Sequence, residues 1–454
     1  MRLRISDNSP IEKGKLRDIP RLTQAIADRT LDQLGRDGVF VLPEAVENAE
    51  DLEGDTEVLR SINGSYRTGN VMGFLGLGEE RLVISSRFSG EDGRDNFLQY
   101  MIARVFELPN IVDLKTDASL DGSLFDYLAL LLPHYLKRAM RKGPYKEYVR
   151  RSHNDANVRG AIDVARHIAS NTPFVGKIAY NQRELSYDNN LMELVRHTIE
   201  TVRRRAYGEL LLSRARDEVA LARKLTPGFS SHNAQRVVEA NRKHPVRHAY
   251  YRDYRSLQRL CLLILQNRRH LVGTGDQQIY GVLFDGAWLW EEYVATLAGD
   301  AFYHPRNKGR GDRGCQQLFW GETKQQGLIL PDFIGKNGEA RVIADAKYKP
   351  ACNIFGRDYQ QLLAYMFRFD AKTGYYLYPY APGEKEAQDV TLYLNRGVTF
   401  EDNVEARKDI TVEKHGLRVP SGDCDFGEFA KRMQESEAEF MAGLRPKSCP
   451  YLSK

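Results

Sequence analysis

Cysteine is scarce in this chain. The five present (Cys261, Cys315, Cys352, Cys424 and Cys449) are scattered and odd in number, with no C-x-x-C pair. That pattern excludes a disulfide framework and a structural zinc site, and it points to a reducing cytoplasm. Long apolar runs are also missing. The stretches around residues 124–136 and 257–265 are too short or too interrupted to span a bilayer, and the opening MRLRISDNSPIEKGK has no apolar signal core. The expectation is a cytoplasmic protein without a membrane contact. No G-x-x-x-x-G-K-[ST] occurs; Val175-Gly176-Lys177-Ile178 lacks both the upstream glycine and the hydroxyl that would hold magnesium. Gly73, Gly76 and Gly78 lie inside and at the end of a strand-like run with no helix opening behind them, so they read as a glycine-tolerant hairpin and not a dinucleotide loop. No nucleotide is therefore expected to be bound by this chain. Net charge is only +5, with a pI near 8.7. That balance is compatible with a nucleic-acid partner without identifying one.

What is present is globular: 42% hydrophobic and 28% charged residues over 454, a length that suggests roughly three domains. The fold expected is α+β and multidomain. Residues 1–92 read as β-rich, with strands near 39–42, 71–77 and 81–88. Residues 93–275 read as a helical domain. In it, Asn189 opens an amphipathic helix that turns Leu191, Leu194, Val195, Thr198, Ile199 and Val202 inward, and a later helix carries Leu257, Leu260, Cys261, Ile264 and Leu265. Basic runs at 137–151 and 242–255, the second interleaved with Tyr250, Tyr251 and Tyr254, could grip phosphates and bases. For either run taken singly, a solvated face with snorkelling stems is the favoured reading. Residues 276–400 change the order of elements to helix, strand 316–320, hairpin, helix 357–369 and strands 374–380 and 390–394. Residues 401–454 form an extension with one helix between 426 and 444.

The most informative stretch is GLILPDFIGKNGEARVIADAKYKP, residues 327–350. Asn337-Gly338 signals a two-residue type I′ turn. If that turn is the whole loop, Asp332 lies opposite Ile343 and diagonal to Asp345, roughly 7–8 Å away between backbones. Asp332, Asp345 and Lys347 then share one face of the sheet. Two close carboxylates on so apolar a strand repel each other unless a cation sits between them. A surface hairpin with solvated charges is the other reading of the same residues.

Two helices flank it. In Trp288-Leu289-Trp290-Glu291-Glu292-Tyr293-Val294 the buried stripe runs through Trp290, Tyr293, Val294 and Leu297. At ~100° per residue, Glu291 falls on the rim of that stripe and Glu292 points toward solvent. In the second helix Gln361 and Tyr365 stand one turn apart on one face.

Pro331-Asp332 followed by Asp345-Ala346-Lys347 resembles the PD-(D/E)xK nuclease motif, and Gln361-x-x-x-Tyr365 resembles the Q-x-x-x-Y motif of some of these nucleases. The α-β-β-β-α-β order of residues 276–400 agrees with that layout. Trp290 to Val294, Leu330-Pro331-Asp332, Asp345 to Lys349 and Asp358 to Tyr365 together resemble the McrC family. Arg159-Gly160-Ala161-Ile162-Asp163 and Glu184 to Asn189 are similar to McrC segments upstream of the nuclease.

The resemblance implies a Mg²⁺-dependent DNA endonuclease, with Mn²⁺ able to substitute. It implies that Asp332 and Asp345 ligate the metal, that Glu291 assists directly or through water, and that the carbonyl of Ala346 completes the shell. Lys347 would orient the attacking water or stabilise charge at phosphorus, and Gln361 and Tyr365 would position DNA or water. It further implies a McrB-like AAA+ GTPase partner, a hexameric ring, which residues before the linker would dock into. Self-association of two such chains is a further option. A standalone repair-type exonuclease or resolvase, and a non-catalytic adaptor of a motor, are the alternatives.

Overall fold

The computed structural model describes residues 2–43, 57–90, 94–106, 120–267, 279–305, 316–336, 342–382, 390–397 and 405–444. The chain forms two compact units, Met1–Leu120 with Gly273–Lys454, and Asp121–Val272.

Among the described residues the first unit holds two large sheets, with a three-stranded and a two-stranded one beside them. One has five strands in the order Arg2–Ser6, Glu80–Ser85, Val71–Leu77, Tyr280–Asp285, Phe40–Leu42. Val71–Leu77 is buried along its whole length, as its apolar run requires of a strand covered on both faces. Its hairpin to Glu80–Ser85 turns at Gly78, whose φ is 58°. The glycines of this stretch have a packing cause. Gly73 has φ +136°, and a Cβ there would stand 2.2 Å from the carbonyl oxygen of Val282; Gly281 meets Phe74 in the same way. Strand Tyr280–Asp285 therefore approaches Val71–Leu77 through a glycine on each side.

That pairing corrects the expected boundary after residue 92. Residues 280–285 supply a central strand of the N-terminal sheet, and the helices Pro20–Ile26 and Leu31–Arg36 add Leu22, Ile26 and Leu34 to its core. A strand's local pattern shows that it is a strand, not which distant strand it will join.

The second sheet has six strands in the order Phe302–Tyr303, Phe333–Gly335, Val342–Ala346, Thr373–Tyr380, Glu405–Arg418, Val390–Arg396. Val342–Ala346 and Thr373–Tyr380 are parallel, with helix Arg357–Phe369 between them in sequence, the connection that parallel neighbours need. Two expectations are corrected here. Gln316–Trp320 is not a strand of this sheet; it pairs with Gln325–Ile329 in a separate two-stranded ribbon, and the short strand Phe302–Tyr303 takes the edge position. The residues after 401 are no appendage. Glu405–Arg418 lies between Thr373–Tyr380 and Val390–Arg396. Helix Phe426–Gly443 brings Glu437 inward, where its carboxylate accepts hydrogen bonds from Tyr293 (2.6 Å) and Tyr100 (2.9 Å).

The second unit contains the expected helices. Asn189 caps Asn190–Arg203 through hydrogen bonds from Leu191 and Met192, both 3.1 Å, and Leu257, Leu260, Cys261 and Ile264 are fully buried. It is not all helical, however. Glu147–Asp155, Ile178–Ser186 and Ala161–Ile162 form a three-stranded antiparallel sheet. EYVRRSHND is nearly all polar, and its positions are exposed or intermediate with none buried, so it carries no apolar alternation to read. The two basic runs meet within this unit. Arg138 pairs with Asp253 at 3.0 Å, and the buried Tyr254 donates to the Gly143 carbonyl at 2.9 Å. Tyr254 is thus a core residue and not a stacking platform.

Candidate active site

Strand Phe333–Gly335 runs antiparallel to Val342–Ala346 with Phe333 opposite Ala344 and Ile334 opposite Ile343. This register is displaced by two residues from the one expected of a two-residue turn, and Asn337-Gly338 itself lies outside the described residues. A shift of two keeps every side chain on its face, so Asp332, Asp345 and Lys347 still share one side. It also brings Asp332 level with Asp345 instead of diagonal to it. The Asp332 carboxylate accepts the backbone N–H of Ala346 at 2.8 Å.

The polar groups form a chain. Lys347 Nζ stands 2.7 Å from Asp345 Oδ2 and donates to Gln361 Oε1 at 3.1 Å, and Gln361 Nε2 donates to the Tyr365 hydroxyl at 2.8 Å. Asp358 completes the setting, 3.9 Å from Lys347 Nζ and 2.6 Å from Lys349 Nζ. Gln361 and Tyr365 thus meet the strand because their helix crosses directly from it. The backbone is fixed by one acceptor: the Leu377 carbonyl receives both the Lys347 N–H (2.8 Å) and the Trp290 indole N–H (2.9 Å). Trp290 is the residue before Glu291, so the helix Gly286–Ala298 and the Lys347 segment are anchored at the same point.

Tyr348 pins the segment from the other side. Its ring packs 3.0 Å from the position a Cβ of Gly286 would take, under the Arg87 guanidinium at 4.6 Å. Arg87 in turn pairs with the buried Asp7 at 2.8 Å. The N-terminal sheet therefore helps to place Lys347.

The paired glutamates depart from expectation. Glu292 does not point into solvent: its side chain is 19% exposed against 26% for Glu291, and the two carboxylates lie 3.9 and 3.7 Å from the ring of His304. His304 was not legible as a site residue. It follows the two-residue strand Phe302–Tyr303, packs on Phe333 and contacts the Asp332 carbonyl oxygen through Nδ1 at 2.8 Å. No spacing motif marks it; a histidine just before Pro305 is the only sequence signal. Burial alone would lower its pKa, but hydrogen bonds to Glu292 and to the Asp332 carbonyl outweigh burial and raise it.

The acids are held against their charge. Asp345 is 2% exposed, and burial, then the charge of Asp332, push its pKa up to about 7 despite Lys347. Burial raises Asp332 in spite of Lys347 and the Ala346 N–H. Glu291 is raised well above the ordinary range by burial, followed by Asp332, Glu292 and Asp345. Burial and then Asp345 also raise the Tyr365 phenol. No well-directed hydrogen bond among the described residues reaches Asp345 Oδ2.

These residues fit a divalent cation. The donors are hard oxygens, and Lys347, 2.7 Å from Asp345 Oδ2, offsets the repulsion between the two carboxylates only in part. Among the described residues no three His, Cys, Asp or Glu side chains converge tightly enough to make a ready cage. A magnesium ion needs only one or two carboxylates and keeps several waters, so Asp332 and Asp345 would be the direct partners and Glu291 an outer one.

No helix of the described residues is long and apolar enough to cross a membrane. In comparisons with known proteins, no curated protein matched. A refined half-complex from a tetradecameric assembly of Thermococcus gammatolerans McrB AAA+ hexamers with bound McrC contains a chain that is similar at 14% identity and a TM-score of 0.45, over 96% of this chain and 99% of that one. A cryo-EM structure of the Thermococcus gammatolerans McrBC complex is similar at 15% identity and a TM-score of 0.31, over 66% and 87%. The family described as McrBC 5-methylcytosine restriction system component matches residues 66–379, a span that takes in Glu291, Asp332, Asp345, Lys347, Gln361 and Tyr365. With more than two thirds of its length inside that match, the chain belongs to the McrBC 5-methylcytosine restriction system component family.

Proposed function

We propose that this chain is the DNA-cutting subunit of its restriction system, a metal-dependent endonuclease with a PD-(D/E)xK core that works in the cytoplasm beside an AAA+ GTPase ring. The observation that carries this reading is the Asp332–Asp345 pair, Asp345 buried and Asp332 partly so, with Lys347 against it. No demand of folding explains two repelling carboxylates at the end of an apolar strand, whereas phosphodiester hydrolysis uses all three groups.

Asp332, Asp345 and the Ala346 carbonyl would hold Mg²⁺ or Mn²⁺, which, when bound, supplies an acidified water and neutralises charge on the phosphate. Ala346 orients the Asp332 carboxylate by its N–H. Lys347, released from Asp345, offers a positive charge to the phosphate oxygens as they gain charge, and such contacts are worth ~10²–10³-fold in rate. Gln361 holds the ammonium of Lys347 in place and is itself held by Tyr365. In this reading the Asp121–Val272 unit docks on the ring, and the first unit cuts.

The test is a plasmid-cleavage assay beside GTP turnover by the cognate AAA+ protein, with wild-type chain and Lys347→Ala. The variant should stimulate GTP hydrolysis normally and fail to cut with Mg²⁺ or Mn²⁺. Cleavage at the wild-type rate by Lys347→Ala refutes the site. Cleavage without any GTPase supports a standalone nuclease, and loss of stimulation together with cleavage in a folded variant defeats the division of labour.

A further inference from the structure

We infer that the two-stranded ribbon Gln316–Trp320/Gln325–Ile329 is a contact for the groove of duplex DNA, laying the substrate across the acidic site. This rests on the nuclease reading for its purpose but not for its observation.

Among the described residues the ribbon pairs with no further strand: Gln316 stands opposite Ile329, and Trp320 opposite Gln325. Two strands alone are marginally stable in water, and this pair spends apolar surface on solvent. Trp320 is 80% exposed and Phe319 is 64% exposed. Neighbours in a strand point to opposite faces, so the outer half of the ribbon presents an aromatic ring on each side. Glu322, Thr323, Lys324, Gln325 and Gln326 are exposed beside them, so the tip itself carries one charge of each sign, and the Gly321 N–H closes it on the Lys324 carbonyl at 2.9 Å.

A protein interface and a nucleic acid would both cover exposed aromatics. The chemistry around the rings favours nucleic acid. The major groove admits a two-stranded ribbon, and glutamine amides match the donor and acceptor edges there. Flat rings serve as stacking surfaces for bases that are unpaired or splayed. The sequence leading into the ribbon, residues 306–315, carries Arg306, Lys308, Arg310 and Arg313 against the one anion Asp312, which is the charge a phosphate backbone attracts.

The ribbon is also joined to the site. Arg368 donates from Nε to the Gln317 carbonyl at 2.8 Å and from Nη2 to Gln316 Oε1 at 3.0 Å. Arg368 lies on the helix Arg357–Phe369, one turn beyond Tyr365. A duplex gripped by the ribbon is thereby held at a set distance from the Lys347–Gln361–Tyr365 chain.

The experiment uses the full chain, a fluorescein-labelled duplex oligonucleotide and fluorescence anisotropy in EDTA, so that nothing is cut. The variants are Phe319→Ser with Trp320→Ser, Gln325→Ala with Gln326→Ala, and Asp345→Asn. Wild type and Asp345→Asn should bind, and the aromatic double variant should lose roughly tenfold or more in affinity, with the glutamine pair losing less. Melting temperatures of the ribbon variants should equal wild type, because side chains so exposed have little packing to lose. Trp320→Phe should also remove the part of the tryptophan fluorescence that DNA quenches. Wild-type affinity in the aromatic double variant overturns the inference, and so does a wild-type chain with no affinity for duplex. If the double variant keeps DNA affinity but loses its AAA+ partner or self-association, the ribbon is a protein interface instead. Asp345→Asn that cuts DNA at the wild-type rate with Mg²⁺ would refute the nuclease reading while leaving the binding result to stand.

Discussion

Replacing Asp345 by asparagine should abolish cleavage and yet stabilise the protein above neutral pH. Asparagine keeps the size of the side chain and removes a charge that this site disfavours. Burial and the charge of Asp332 push the Asp345 carboxyl up to about 7, against 3.8 for an unperturbed group. Between those values the folded state binds the proton and the unfolded state does not, so stability rises as pH falls through 7 and is lower above it. A shift of this size corresponds to about 4 kcal/mol at most. Coupling to Asp332 and Glu291 spreads that figure over the cluster, so about 1–3 kcal/mol is the gain to expect from Asp345→Asn at pH 8. Lys347 loses its partner at 2.7 Å but keeps Gln361 and Asp358 nearby, so its charge is not left bare. The assay is calorimetric unfolding in EDTA at pH 8 and pH 5.5. Asp345→Asn should melt several degrees above wild type at pH 8, and the difference should shrink or reverse at pH 5.5, where wild type carries the proton. Added Mg²⁺ should raise the wild-type transition and leave the variant unmoved. A variant that is destabilised equally at both pH values would show that the acid is not held against its charge, and the argument for a cation there would fall with it.

Glu291→Gln should impair cleavage more than Glu292→Gln, since Asp332 and Asp345 both act on Glu291. Glu292→Gln should nevertheless lower activity measurably, because it disturbs His304 behind Asp332; steady-state cleavage rates with both variants at equal magnesium decide, and a wild-type Glu292→Gln would return that residue to the surface. Asp7→Ala should destabilise the first unit by about 1.5–3 kcal/mol, because it leaves the mostly buried Arg87 charge with only Asn70 and the Tyr348 ring, and urea unfolding should show a lower midpoint with unchanged slope. The same variant, assayed where it remains folded, should cut more slowly, since Arg87 and Tyr348 place the segment that carries Lys347.

Much of the chemistry was legible locally. Asp332, Asp345 and Lys347 occupy one face because side chains alternate along a strand, and a register error of two residues left that parity untouched. Gln361 and Tyr365 share a face because they are one helical turn apart. The Asn189 cap and the apolar stripe behind it follow from rules that span four residues. The errors all lie at longer range. Tyr280–Asp285 reads as a strand anywhere, but only packing reveals that it completes the sheet begun at Arg2. Glu405–Arg418 reads as an appendage because its place between two other strands depends on pairing with Thr373–Tyr380, far back in the chain. Glu147–Asp155 has no alternation to betray a strand. Helical phase could put Glu291 at the rim of a buried stripe, yet it said nothing of His304, which arrives from another strand and draws Glu292 inward. Patterns of period two and 3.6 specify which side of an element a residue takes; which elements then face each other is set by burial summed over the whole fold, and that sum is visible only in three dimensions.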